Sequence, residues 1–96
     1  MVRYLSLISY TEKGLAGIKE SPRRADQFRE QVKKAGGNII GMYWSTGEFD
    51  GCVLFDAPDA ETGASLLLTL NQLGNVRTRT MQVFDGDEFA KIVERA

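Results

Sequence analysis

Histidine is absent from the chain. Its absence removes the commonest general base, the usual haem ligand and most zinc sites, leaving carboxylates, tyrosines and one thiol as acid–base candidates. Cysteine occurs once, as Cys52, so neither an intrachain disulfide nor a cysteine metal cluster can form. Its apolar neighbours predict a buried, inert thiol, and a reducing, cytoplasmic setting fits best. Excess positive charge is lacking too: 12 basic against 13 acidic residues leave a net charge of -1, the wrong balance for a chain that lives on phosphate backbones. No nucleic-acid partner is expected. No apolar run approaches the length of about 18 residues that a membrane span needs, and "MVRYLSLISYT" lacks the cleavage site of a signal peptide. Glycine-rich phosphate loops and metal-spaced clusters are missing as well, so neither a cofactor nor a metal is expected.

What remains is an ordinary globular composition, 43% hydrophobic and 26% charged, in 96 residues that read as one domain over 1–96. A chain of this size buries only about 60% of its surface, which leaves stability marginal and favours self-association.

Strand and helix signals alternate along the chain. Val2 to Tyr10 reads as a first strand. Thr11 caps a helical turn weakened by Gly14 and Gly17, and Ser21-Pro22 looks like a new N-cap followed by proline at the first helical position. From there Ala25, Phe28, Val32 and Ala35 form one apolar stripe, flanked by Arg23, Arg24, Arg29, Glu30, Lys33 and Lys34 on a solvated face. Gly36-Gly37 ends this helix. Asn38 to Thr46 and Cys52 to Ala57 read as a hairpin around "GEFDG"; Asp59 caps a helix that stops at Gly74; Asn75 to Phe84 reads as a fourth strand. Asp85 and Glu88 match a capping box opening a short helix that would bury Phe89, Ile92 and Val93.

The order βαββαβ plus a terminal helix predicts an α+β, ferredoxin-like fold, with a four-stranded antiparallel sheet and two helices on one face. A sheet covered on one face only should alternate apolar and polar residues. Here Cys52 and Leu54 point one way and Val53 and Phe55 the other; strict alternation likewise sets Ile40, Met42 and Trp44 against Ile39, Gly41 and Tyr43. Two apolar faces predict that a second copy covers one of them, with Met42, Trp44 and Leu54 in the interface of a homodimer or higher homo-oligomer.

On the first strand, Tyr4, Ser6, Ile8 and Tyr10 share a side and read either as a mixed pocket lining or as interface packing. Arg77 and Arg79, in "RTRT", read as anion anchors or as the polar side of an edge strand. Tyr4, Ser6, Tyr10, Arg77 and Arg79 are therefore the ligand-binding candidates. Asp50, with Tyr4 or Tyr10 as proton partner, is the weak catalytic candidate, against a reading in which it ties its own hairpin. RNA-recognition domains share the fold, but their aromatics would have to stand where Asp50 and Cys52 do.

The stretches "YLSLISYTEKGLAGIKESPRR", "YWSTGEFDGCVLFDAPD" and "LGNVRTRTMQVF" resemble the GYD-domain family over nearly the whole chain. Gly47, Phe49 and Asp50 hold the signature positions, with phenylalanine in place of tyrosine. The resemblance implies the dimeric α/β-barrel superfamily, in which two ferredoxin-like sheets pack face to face, and it implies no particular reaction. Relatives in that superfamily include cofactor-independent oxygenases and isomerases acting on small aromatic or carbonyl compounds. They also include binding modules, and the hairpin is similar to that of the effector-binding domain of Lrp/AsnC regulators. The expectation is a homodimeric small-molecule-binding or interaction module with a cavity between sheets; a cofactor-free enzyme and a structural or assembly subunit are the alternatives.

Overall fold

A computed structural model describes all residues from Met1 to Ala96. The elements in chain order are β1 (Val2–Tyr10), α1 (Glu12–Ala16), a 3₁₀ turn (Ile18–Glu20), α2 (Ser21–Lys34), β2 (Asn38–Trp44), β3 (Gly51–Ala57), α3 (Ala60–Gln72), β4 (Val76–Gln82) and α4 (Gly86–Arg95). The four strands form one antiparallel sheet in the order β2-β3-β1-β4, which is the ferredoxin-like arrangement.

Local chemistry sets most boundaries. The Thr11 hydroxyl accepts from Gly14 N, the Asp59 carboxylate accepts from Thr62 N, and Asp85 and Glu88 form a reciprocal capping box. Gly36 and Gly74 take positive φ where α2 and α3 end. At the start of α2, however, the cap is Glu20, which makes no side-chain capping bond, and Ser21 is the first helical residue. Its hydroxyl is spent elsewhere.

One face of the sheet carries the core. Phe28 and Val32 of α2 and Leu66 of α3 pack on Val53, Phe55 and Ala57 of β3, with Tyr4, Ile8, Ile39 and Met42 around them. Phe55 is fully buried between two rings, Tyr4 at 5.5 Å and Phe28 edge-on at 5.8 Å, and such a side chain contributes about 2–3 kcal/mol by burial. The helices come close because glycine permits it: a Cβ on Gly63 would stand 2.6 Å from the Tyr4 ring. The buried Ser6 hydroxyl is satisfied by Thr80 at 2.8 Å.

Only 11 of 96 residues are buried, so the monomer leaves much apolar surface in water. None of the ten residues of α4 is buried, and Phe89, Ile92 and Val93 are 40–56% exposed. The expected docking of α4 onto its own domain therefore does not occur. The cap forms from four neighbouring residues, whereas burial needs a partner surface that the chain does not supply.

Candidate functional site

The hairpin between β2 and β3 is held by Asp50. Register between β1 and β3 runs from Val2↔Ala57 to Ile8↔Gly51, and the chain then turns away. Asp50 prolongs the ladder: its N–H donates to Ile8 O at 2.8 Å, its carbonyl accepts from Ser45 N at 2.9 Å, and Oδ2 accepts from Tyr10 N at 2.8 Å. Gly47 sits in the same loop at φ 104°, a conformation that favours glycine. Phe49 is half-buried, and its carbonyl accepts from the Ser45 hydroxyl at 2.7 Å.

The sheet divides the other candidates between its two faces. Residues paired across an antiparallel ladder point the same way. Tyr4, Ser6 and Tyr10 share the helix-covered side, with Tyr4↔Phe55 and Ser6↔Val53 in register. Arg77 pairs with Ser9 and Arg79 with Leu7, which places both arginines on the open face. The five ligand-binding candidates are thus not brought together. Tyr4 packs in the core and Ser6 is fully buried, leaving Tyr10 as the member of that trio that lines a cavity.

A β-bulge at Ile39/Gly41 reassigns β2. The extra residue shifts the alternation, so that Ile39, Met42 and Trp44 face the helices while Gly41 and Tyr43 face outward. Of the three residues expected in the dimer interface, Leu54 lies on the open face, whereas Met42 and Trp44 lie on the opposite one. Cys52 is also on the open face, half-buried rather than buried.

The open face has a definite layout. Leu54, Leu5 and Met81 form one row across β3, β1 and β4; Tyr43, Cys52 and Leu7 form the next across β2, β3 and β1. Polar groups bound this apolar band. At one end Arg3 Nε donates to Asp56 Oδ1 at 2.9 Å and Nη2 to Oδ2 at 3.2 Å, a bidentate pair that holds the arginine pKa above its usual value through the Asp56 hydrogen bond. At the other stand Ser9 and the exposed Arg77, with exposed Arg79 at the edge.

The helix-covered side has a second layout. Trp44 Nε1 donates to Tyr10 OH at 3.0 Å and Ser21 Oγ at 3.1 Å, and the two hydroxyls lie 2.5 Å apart. This cluster lines both a cavity of about 80 Å³, walled largely by hydrophobic side chains, and an open cleft of about 290 Å³. Ser21 and Arg24 belong to this site and sequence reasoning missed both. Ser21 resembled a helix cap, and Arg24 a member of a solvated face, but Arg24 Nη2 turns inward to Gly14 O at 3.3 Å and Gly17 O at 3.1 Å. Arg23, its neighbour, does stay exposed beside Glu20. No group of three or more Cys, Asp and Glu side chains converges to hold a metal ion, and no helix is long and apolar enough to cross a membrane.

A family model described as the GYD domain matches residues 4–93. The chain belongs to the GYD family. Among curated proteins, this GYD domain is 25% identical over 83 residues to the "glutamine synthetase and cystathionine beta-lyase binding protein" of Thermus thermophilus, covering 85% of the chain and 87% of that protein. Its fold is similar to that of the feast or famine regulatory protein of M. tuberculosis complexed with L-methionine, at TM-score 0.67 and 19% identity. That match covers 88% of the GYD chain but only 51% of the regulator, so the chain spans about half its length. The fold also matches TTHA0845 from Thermus thermophilus at TM-score 0.57 and 20% identity, over 90% of this chain and 96% of that one. At these identities the structural likenesses establish a shared ferredoxin-like fold, and function must be argued from sites.

Proposed function

We propose that the protein is a homodimeric binding module, in which the open sheet faces of two copies pack together and the pair holds a small molecule or a partner protein. The observation that carries this reading is the apolar band of Leu5, Leu7, Leu54 and Met81, bounded by the Arg3–Asp56 pair and by Arg77. An apolar centre with a polar rim is the anatomy of a protein interface, and a two-fold axis makes one such patch complementary to itself. The Thermus relative, named as a binding protein for two enzymes, and the methionine complex of the regulator both favour binding over reaction.

A cofactor-free enzyme using Asp50 as base has less support. One Asp50 oxygen is committed to Tyr10 N, and the arginines that would hold an anion lie on the opposite face from Tyr4 and Tyr10. An assembly subunit would share the dimer and differ only in holding no ligand.

Multi-angle light scattering at micromolar concentration tests the dimer. The expected mass is twice that of the chain, and Leu54→Arg, which forces an unpaired charge into the band, is expected to weaken association by about 100-fold or more while leaving the circular dichroism spectrum unchanged. A wild-type chain that stays monomeric would remove the premise.

A further inference from the structure

The helix-covered side of the sheet carries a feature that the dimer does not use. We propose that the cavity behind Tyr10, Ser21 and Trp44 is a binding site for a short-chain apolar monocarboxylate, its tail between α2 and the sheet and its carboxylate at the hydroxyl cluster beside Arg24. Three observations converge on that chemistry.

The first is shape. Of the 18 residues lining the inner cavity 12 are hydrophobic, Phe28, Met42, Val53 and Leu70 among them. A volume of about 80 Å³ has room for a small apolar chain, since a single water needs only about 10–15 Å³ of such space. Tyr10, Ser21 and Trp44 line both this cavity and the open cleft of about 290 Å³. A ligand lodged across the two spaces therefore has these polar groups beside it and the apolar lining on the cavity side.

The second is a surplus of donors. The cluster has three protons, on the indole nitrogen and two hydroxyls, and two acceptor oxygens. The indole proton is shared between both oxygens, and one hydroxyl proton fills the 2.5 Å contact between them. The other hydroxyl proton has no acceptor within the cluster. That proton belongs either to Ser21, which is only 8% exposed, or to Tyr10, which is half-buried. An acceptor oxygen from a ligand would complete the network.

The third is charge. No aspartate or glutamate lines either space, and Arg24 is the one cation. Arg24 makes no ion pair; of its five donors it spends Nη2 on the Gly14 and Gly17 carbonyls. Ser21 and Arg24 stand three residues apart on α2 and so share a side of the helix. A lone cation with donors to spare favours a carboxylate, and the lack of any acidic side chain leaves an amino acid's ammonium without a counter-charge.

Trp44 is the chain's single tryptophan, so its fluorescence reports on the site directly. The purified full chain is titrated with isocaproate, with its neutral analogue isocaproamide, and with leucine, which is isocaproate carrying an amino group. Isocaproate is expected to give a saturable change in Trp44 emission. Isocaproamide and leucine are expected to bind about tenfold more weakly or worse, and Arg24→Gln to lower isocaproate to the amide's level. Should Arg24→Gln unfold because α1 loses its anchor, the wild-type ratio of isocaproate to isocaproamide decides the matter. Leu54→Arg, which alters only the open face, is expected to retain binding. Absence of a saturable response to isocaproate, equal affinity for all three compounds, or loss of binding in Leu54→Arg would each overturn the proposal, the last by placing the ligand between the sheets.

Discussion

Replacing Asp50 by alanine removes one acceptor and little else. The Tyr10 N–H loses its 2.8 Å bond to Oδ2, while the backbone bonds of residue 50 to Ile8 and Ser45 remain available. A half-buried amide deprived of a charged acceptor costs about 1.5–3 kcal/mol. For a domain of this size that corresponds to a fall of about 6–24 °C in melting temperature. Asp50→Asn keeps an acceptor oxygen in place but loses the charge assistance, which supplies roughly half the strength of such a bond, so its cost is expected to be about half that of alanine. The assay is urea denaturation followed by Trp44 fluorescence, with all three proteins at one concentration because a dimer couples stability to mass action. The expected order is wild type, Asp50→Asn, Asp50→Ala. An alanine variant within about 0.5 kcal/mol of wild type would show that the bond to Tyr10 does not hold the hairpin. An asparagine variant as unstable as alanine would show that charge itself, rather than an acceptor at this point, is what the site needs.

Two further outcomes follow from close geometry. A Cβ on Gly14 would collide with the Asn75 carbonyl oxygen, so Gly14→Ala must displace α1 from the start of β4 and is expected to cost about 2 kcal/mol or more, read by thermal melting; a near-neutral variant would contradict that packing. The Asp59 carboxyl is held below its usual pKa by hydrogen bonds from the backbone and side chain of Thr62. Its folded pKa lies below its unfolded one, so the contribution is complete above the unfolded value and disappears as pH falls through the folded value. Carboxyl titration by NMR should place the Asp59 midpoint below that of the same residue in urea, and a midpoint at or above it would contradict the cap.

The fold was readable in the sequence wherever its determinants are local. Thr11, Asp59 and the Asp85–Glu88 box announce helix starts because each cap is complete within four residues, and the strands show in their β-branched and aromatic runs. Sidedness was not readable. Alternation separates Tyr4, Ser6 and Tyr10 from Leu5 and Leu7, but which set meets the helices depends on packing between elements far apart in the chain. The bulge in β2 compounds this, because one inserted residue turns Met42 and Trp44 to the side opposite Leu54. Gly41 was its only trace, since an isolated glycine in a strand suggests either a bulge or a close backbone approach. Ser21 and Arg24 escaped notice for a different reason. A serine before proline at a helix start has an adequate local explanation, and so does an arginine among charged neighbours, yet here the serine hydroxyl bonds Tyr10, from a different element, and the arginine bonds α1.

The hairpin residues that carry the resemblance to the family are themselves a piece of architecture. Gly47 supplies a left-handed turn, and Asp50 prolongs the β1–β3 ladder by lending a side-chain oxygen where the backbone has turned away. Both roles are complete without a ligand, so the signature explains why the hairpin has its shape and leaves the binding chemistry to be sought elsewhere. Two places remain, on opposite faces of one sheet. The open face is broad, apolar and rimmed by charge, which suits a second copy of a chain too small to bury its own surface. The covered face has a narrow cavity bordered by a hydroxyl cluster and by Arg24, its one charged lining residue, which is the basis for proposing a small anion there. Strand β3 belongs to both, with Leu54 directed to one and Val53 to the other. Because the two sets of side chains project from opposite sides of the strand, Leu54→Arg perturbs the open face without touching the lining of the covered cavity, and each face can be tested with the other intact.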